Sequence, residues 1–161
     1  KVSLILELSD ASGSRGMVAG QVLDMEGEHK QLTLAELQTI HANKTGRLLA
    51  YPFIAAALIL DLQADIAQLL EKIGKKLGLA FQVRDDILDL VADFEALGKT
   101  PQKDLVAEKS TYPALLGLEE SKALLTSELD ACEDLLDQIT SACDFDPRAI
   151  KKLIEGLRID G

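Results

Sequence analysis

Three aspartates close together are the residues most suited to chemistry in this sequence: Asp85, Asp86 and Asp89, within the stretch FQVRDDILD at positions 81–89. On a helix, Asp85 and Asp89 lie one turn apart on the same face, and Asp86 lies about 100° round from Asp85. Gln82, three residues before Asp85, shares that face. Carboxylates this close repel one another unless water surrounds them or a cation lies between them. Oxygen ligands without histidine or cysteine suit a hard cation such as Mg²⁺, which often bridges carboxylates to a substrate phosphate.

The alternative interpretation of this DDxxD spacing is a solvated acidic helix face. The flanking sequence favours the metal interpretation, because apolar residues lie before the aspartates at 77–81 and after them at 87–88 and 90–91. A helix with such flanks is expected to lie centrally in the fold rather than at its periphery.

Lysines form a second candidate group: Lys44 beside Thr45, then Lys99, then Lys109. The chain carries 17 basic and 27 acidic residues, so any one of these lysines taken alone is more typical of a solvated surface. A lysine next to a threonine at a helix break could still hold a phosphate through its point charge and the hydroxyl.

A third candidate group is Gln21 and Asp24, which share one helix face at i, i+3. A solvated polar pair explains them equally well. Ala19 and Gly20 precede them, and such small residues would let another helix approach closely.

The composition indicates a compact helical protein and argues against two classes of partner. Hydrophobic residues make up 47% of the 161 residues and aromatics only 4%, so Ala, Leu and Ile are expected to form a helical core. The net charge of -10, without a basic stripe, argues against nucleic-acid binding. The sequence has no run of 18 apolar residues, so no membrane span is predicted, and we expect a cytoplasmic protein.

Helical patterns cover almost the whole sequence, so we expect residues 1–161 to form one all-α domain. The chain starts inside an apolar helix-like stretch, which suggests a piece of a larger domain. Thr33 and Glu36 predict a capping box. Pro52 predicts a kink or restart in the nearly all-apolar stretch 48–62, which we interpret as a central bundle helix. The other predicted helices span 2–9, 14–25, 66–90, 111–118, 119–141 and 147–157, with a polar loop at 98–109.

Five short motifs occur in order along the chain, at residues 16–21, 44–49, 78–89, 97–99 and 109–113. Together they resemble the carboxyl-terminal half of the polyprenyl synthetase family, in particular its farnesyl and geranylgeranyl diphosphate synthases. One such motif is a weak signal, whereas five at compatible spacing are specific. The resemblance extends over essentially all 161 residues. It implies a bundle of helices around a central cavity, with two Asp-rich motifs facing each other across its mouth.

The resemblance also implies roles for the candidate residues. Asp85, Asp86 and Asp89 correspond to the second Asp-rich motif and would bind Mg²⁺, with Mn²⁺ as an alternative metal. The implied catalytic residues are Lys44, Thr45, Gln82 and Lys99, and the implied substrate-binding residues are Lys44, Lys99, Lys109, Gln21 and Asp24.

The implied reaction joins isopentenyl diphosphate head-to-tail to an allylic diphosphate, dimethylallyl or geranyl, to give a geranyl- or farnesyl-type diphosphate, in a homodimeric enzyme. The first Asp-rich motif is absent from the sequence, so the 161-residue chain alone is expected to be inactive. Two alternatives share part of the pattern. A non-catalytic subunit of a heteromeric prenyl synthase should have lost the aspartates and lysines, which this chain keeps. A class I terpene cyclase gives no reason for Lys44-Thr45 to occur together with the motif at 109–113.

Overall fold

The fold is a set of helices joined by short turns, seen in a computed structural model that describes residues 1–97 and 110–159. Within those two ranges there is no strand, which confirms the predicted all-α class. None of the described helices is both long and apolar enough to cross a membrane. The α-helices are α1 (Val2–Ser12), α2 (Met17–Gly27), α3 (Leu34–His41), α4 (Arg47–Ile59), α5 (Ala64–Leu97), α6 (Tyr112–Leu116), α7 (Leu118–Ala142) and α8 (Arg148–Leu157), with a π-helix (Ala42–Gly46) between α3 and α4.

The long helix α5 lies at the centre of the described structure and packs against both α4 and α7. Its buried residues recur at three- and four-residue spacing, as expected of a helix face turned to a core. Each large side chain buried there contributes about 1.5–3 kcal/mol relative to leaving it exposed. The core residues of α5 and α7 include Ile66, Leu70, Ile73, Leu77, Ala80, Val83 and Ile87 on α5, and Leu125, Leu129, Cys132, Leu136 and Ile139 on α7.

Near the aspartates, not every apolar residue of α5 lies on its buried face. Phe81 and Leu88 are apolar, but their exposed fractions are 41% and 37%. Ala80 and Val83 are fully buried there instead. One residue step rotates a helix by about 100°, so Phe81 points away from the core that Ala80 helps to fill.

The segment from α3 to α4 is one continuous helical rod rather than two helices with a break. Thr33 and Glu36 form the predicted capping box at its start: the Thr33 hydroxyl accepts from the Glu36 N–H, and the Glu36 carboxylate accepts from the Thr33 N–H. The predicted restart at Pro52 does not occur, because α4 runs through that residue. Pro52 is exposed, so the carbonyl that loses its partner lies on the solvent side, where water can bond to it.

The apolar stretch 48–62, interpreted above as a central bundle helix, is only partly buried in this chain. Only Ala50 and Ala57 of α4 are buried, whereas Ile59 and Leu60 at its end are 67% and 63% exposed. The packing explains this difference, because in the described residues α4 has α1 and α5 as its main helical neighbours and its remaining side faces solvent.

The described chain resumes at Ser110, which lies against the turn before α3. The Ser110 hydroxyl accepts from the Leu32 N–H at 3.1 Å and donates to the Lys30 carbonyl at 3.3 Å. The two helices predicted over 111–118 and 119–141 are α6 and α7, and the boundary between them lies at Gly117, which adopts a φ of 89°. This left-handed conformation suits glycine and ends α6.

Candidate functional site

The π-helix Ala42–Gly46 carries the predicted Lys44-Thr45 pair and is held between two other helices. Its wide turn is closed by the Arg47 N–H, which donates to the Ala42 carbonyl five residues earlier. On one side, an added Cβ at Gly20 of α2 would lie 2.1 Å from the Lys44 nitrogen. On the other, an added Cβ at Gly78 of α5 would lie 2.8 Å from the Gly46 Cα. Both contacts require glycine, and the first confirms the close helix approach predicted at Ala19 and Gly20.

The side chain of Lys44 points to α2. Its Nζ lies 2.5 Å from Asp24 Oδ2, and the two side chains are 36% and 38% exposed. The structure thus brings together one predicted diphosphate ligand and one residue of the Gln21–Asp24 pair. Gln21, one turn earlier on α2, is exposed.

The side chain of Thr45 points the other way, to α5. Its hydroxyl donates to Gln82 Oε1 at 2.8 Å. Gln82 lies one turn before Asp85, so this hydrogen bond ties the lysine–threonine pair to the helix that carries the aspartates.

The three aspartates of α5 are not equivalent in the structure. Asp85 and Asp89 are exposed, and within the described parts of the chain no hydrogen bond or ion pair engages either carboxylate. Asp86 is partly buried, and its Oδ2 accepts from the Tyr112 N–H at 2.9 Å. This contact holds the start of α6 against α5, so Asp86 has a structural role whether or not it also meets a metal.

The donor set on α5 fits a hard cation only in part. Asp85 and Asp89 offer two exposed oxygen ligands one turn apart, which suits Mg²⁺ because this ion takes one or two carboxylates and completes its shell with water and phosphate. In the described ranges no three acidic, histidine or cysteine side chains are grouped closely enough to hold an ion by themselves. Any further ligands would have to come from a substrate phosphate, from water or from another part of the protein.

Two aromatic residues that the sequence pattern did not indicate, His41 and Tyr112, pack against each other beside the π-helix. Their ring centroids are 5.5 Å apart, and Tyr112 is fully buried. Burial lowers the pKa of His41 to about 4, against a weaker opposing influence of Asp24, and it raises the pKa of Tyr112. His41 lies one helical turn before Lys44, which was the only signal in the sequence that it could belong here.

Two predicted site residues, Lys99 and Lys109, lie outside the described residues. The remaining arrangement places a lysine ammonium, a threonine hydroxyl, a glutamine amide and two exposed carboxylates on two helices joined by a hydrogen bond. A lysine ammonium and exposed carboxylates are the groups that a metal-bound phosphate ester requires. The fold and site therefore define an all-α protein with a candidate phosphate and divalent-metal site.

Comparison with known proteins identifies the family. The polyprenyl synthetase family model matches residues 3–144. The farnesyl diphosphate synthase of Micrococcus luteus is 48% identical over 155 residues, covering 96% of this chain and 53% of that protein. The Escherichia coli farnesyl diphosphate synthase is 40% identical over 156 residues, covering 96% and 52%. The chain belongs to the polyprenyl synthetase family, and it spans about half the length of these relatives.

The structural comparison agrees with this assignment. The crystal structure of a geranyltransferase from Helicobacter pylori, complexed with magnesium and isoprenyl diphosphate, aligns with a TM-score of 0.80 at 32% identity. The alignment covers 97% of this chain and 51% of that one.

Proposed function

We propose that this chain is part of a trans-prenyltransferase in which Lys44 and Thr45 face an allylic diphosphate and Asp85 and Asp89 face its metal. The observation that carries the proposal is the Thr45–Gln82 hydrogen bond of 2.8 Å. It joins the cationic π-helix to the carboxylate face of α5, so both sides of a metal-bound diphosphate would be held by one packed unit. The family membership and the two farnesyl diphosphate synthases support this reaction class.

The proposed substrates are isopentenyl diphosphate and an allylic diphosphate, dimethylallyl or geranyl, and the product is a geranyl- or farnesyl-type diphosphate. The names of the relatives support the farnesyl assignment. Magnesium is the proposed cofactor, which is consistent with the Helicobacter pylori geranyltransferase complexed with magnesium and isoprenyl diphosphate. A homodimer in the cytoplasm completes the proposal, on the strength of the sequence resemblance.

The reaction begins with heterolysis of the allylic C–O bond, and the diphosphate leaves with the electron pair. The Lys44 ammonium stabilises the negative charge on that leaving group from a position fixed before reaction. Lys99 and Lys109 would share this task by resemblance. Asp85 and Asp89 would hold Mg²⁺, whose charge would further neutralise the diphosphate.

Carbon–carbon bond formation follows when the isopentenyl double bond attacks the allylic cation. A proton is then lost from the new intermediate to the released diphosphate, which restores a neutral hydrocarbon chain. Thr45 and Gln82 are joined by a hydrogen bond. We place their side chains beside the reacting carbons. Apolar side chains nearby, such as the exposed Phe81, would exclude water that could trap the cation.

The test uses labelled isopentenyl diphosphate and geranyl diphosphate. The chain is co-expressed with the part of the Micrococcus luteus relative that lies outside the matched region, and each half is also assayed alone. We expect incorporation of label only by the combined halves, and its loss with Asp85→Ala. The matched control is Glu119→Gln. Like Asp85→Ala it removes one negative charge, but from a 79% exposed side chain on α7.

Three outcomes would contradict the proposal. A complex of the two halves that incorporates no label, while the Micrococcus luteus halves do so in the same assay, would indicate a non-catalytic subunit. Cyclic hydrocarbon made from the allylic diphosphate alone would indicate a terpene cyclase. Unchanged turnover of Asp85→Ala at saturating Mg²⁺ would show that the metal assignment is wrong.

A further inference from the structure

The cation that the proposed function assigns to a diphosphate is already paired within the protein. Lys44 Nζ lies 2.5 Å from Asp24 Oδ2, a direct ion pair between the π-helix and α2. Both side chains are about one-third exposed, at 36% and 38%, so a ligand can reach the pair from solvent. A diphosphate that binds Lys44 therefore meets an aspartate already in place.

The backbone around this pair is fixed, whereas the lysine side chain is free to move. Gly20 lies one turn before Asp24 on α2, and an added Cβ there would lie 2.1 Å from the Lys44 nitrogen. The two helices thus touch at the Lys44 backbone, and this contact keeps the backbone of Asp24 close to Lys44. Lysine has a flexible four-carbon stem, so its ammonium can change partners while the backbone stays in place.

We propose that Asp24 is a positioning residue that pairs with Lys44 in the absence of an anion and gives it up to the diphosphate. The proposal rests on the proposed function, and it reverses the role that the resemblance implied for Asp24, because a carboxylate left beside a diphosphate repels it. A polyanion can displace the carboxylate through its higher charge, whereas a monoanion gains little by the exchange. Asp24 would thereby favour polyanions at Lys44 and hasten the release of diphosphate.

The test measures binding of inorganic pyrophosphate to the 161-residue chain by isothermal titration calorimetry, at fixed Mg²⁺ and ionic strength. Partly exposed ion pairs are weak, so we expect Asp24→Asn to bind about threefold to tenfold more tightly than wild type. Asp24→Glu keeps the charge and should stay near wild type. Lys44→Ala should weaken binding, and Asp24→Asn should give no gain when combined with it. Glu119→Gln is the control for net charge, because it removes the ion-pair partner of Lys122. The Lys122 side chain is 38% exposed, close to the 36% of Lys44.

The variants separate the exchange from the proposed function. If pyrophosphate binding depends on Lys44 but Asp24→Asn binds equally or less tightly, the exchange is wrong and the diphosphate role of Lys44 stands. An equal gain in Glu119→Gln would reduce the effect to net charge and would also overturn the exchange. If Lys44→Ala binds as well as wild type, both the exchange and the assignment of Lys44 fail.

Discussion

Thr45 on the π-helix and Gln82 on α5 are joined side chain to side chain, with 2.8 Å between Oγ1 and Oε1. Gly78, one turn before Gln82, packs against Gly46 so closely that an added Cβ would lie 2.8 Å from its Cα. The hydrogen bond and the close backbone contact together fix the rotation of α5 relative to the lysine-bearing turn. The direction in which Asp85 and Asp89 point therefore depends on residues that are not among the proposed metal ligands.

The unequal environments of Asp85 and Asp86 predict that the same substitution changes stability at one residue and not at the other. Asp86→Ala removes the acceptor of the Tyr112 N–H. Because Tyr112 is fully buried, we expect the free energy of unfolding to fall by about 1–3 kcal/mol. Asp86→Asn keeps an acceptor oxygen and should lose less. Asp85→Ala removes one of several mutually repelling carboxylates and should leave stability within about 0.5 kcal/mol of wild type, or raise it. Urea unfolding followed by circular dichroism measures all three, and equal losses for Asp85→Ala and Asp86→Ala would contradict the distinction.

Spacing alone predicted part of this arrangement. The i, i+4 relation placed Asp85 and Asp89 on one helix face and Gln82 beside them, because those relations depend only on helix geometry. It could not predict that Asp86 bonds to Tyr112, since that partner lies 26 residues further along the chain. The acceptor of Thr45 was likewise set by packing between helices.

Two glycine-to-alanine substitutions are expected to change stability in opposite directions. Gly20→Ala places a methyl group 2.1 Å from the Lys44 backbone nitrogen, so α2 and the π-helix must separate, at a cost of about 1–3 kcal/mol. Gly156→Ala in α8 has nothing within 4 Å of the added Cβ and should stabilise the protein by about 0.5–1 kcal/mol through helix propensity. Thermal unfolding of both variants decides the matter. A Gly20→Ala variant as stable as wild type would mean that the two helices do not touch at Lys44.

The π-helix itself could not be predicted from the local pattern. The sequence interpretation put a helix break near Lys44, whereas in the structure one turn widens and the helix continues. A π-turn forms no more hydrogen bonds than an α-turn and is rare. We therefore attribute it to the helices that pack against it on both sides. Those contacts lie at Gly20 and Gly78, and the sequence marks them only as small residues.

The burial of His41 predicts that the free energy of unfolding changes between pH 4 and pH 6.5. The pKa of His41 is about 4 in the folded protein, mainly because of burial, and about 6.5 when unfolded. Between these values the unfolded chain binds more protons, so stability is highest above pH 6.5 and falls as the pH drops toward 4, by at most about 3 kcal/mol. Urea midpoints at pH 7 and pH 5 should show this loss, and His41→Asn should reduce the difference between them.

The matched control for that experiment is His29, which is exposed and has a φ of 62°. Asparagine tolerates this left-handed conformation, so His29→Asn tests removal of a histidine without added backbone strain. It should keep the full loss of stability between pH 7 and pH 5. If His41→Asn also loses as much stability between pH 7 and pH 5 as wild type does, the pH dependence comes from carboxylates and not from His41.

The last prediction concerns the 161-residue chain in solution: it should self-associate and lack prenyltransferase activity. The most exposed apolar residues of α1 and α4 include Ile5 at 65% and Ile59 at 67%. The two helices pack together, and the Tyr51 hydroxyl donates to the Leu4 carbonyl at 3.3 Å. Their apolar residues therefore lie on neighbouring surfaces, and exposed apolar patches of this kind promote association.

Light scattering after size exclusion should show a mass that rises with concentration. The double variant Ile5→Gln/Ile59→Gln should shift the chain toward monomer. Leu153→Gln is the matched control, because it removes a 48% exposed leucine from α8 and should leave the association unchanged. Activity is expected to be absent because Asp85 and Asp89 supply metal ligands from one helix only, and Mg²⁺ held there lacks the opposing carboxylates that the family resemblance implies. A monodisperse monomer that condenses isopentenyl and geranyl diphosphates by itself would contradict both parts of this prediction.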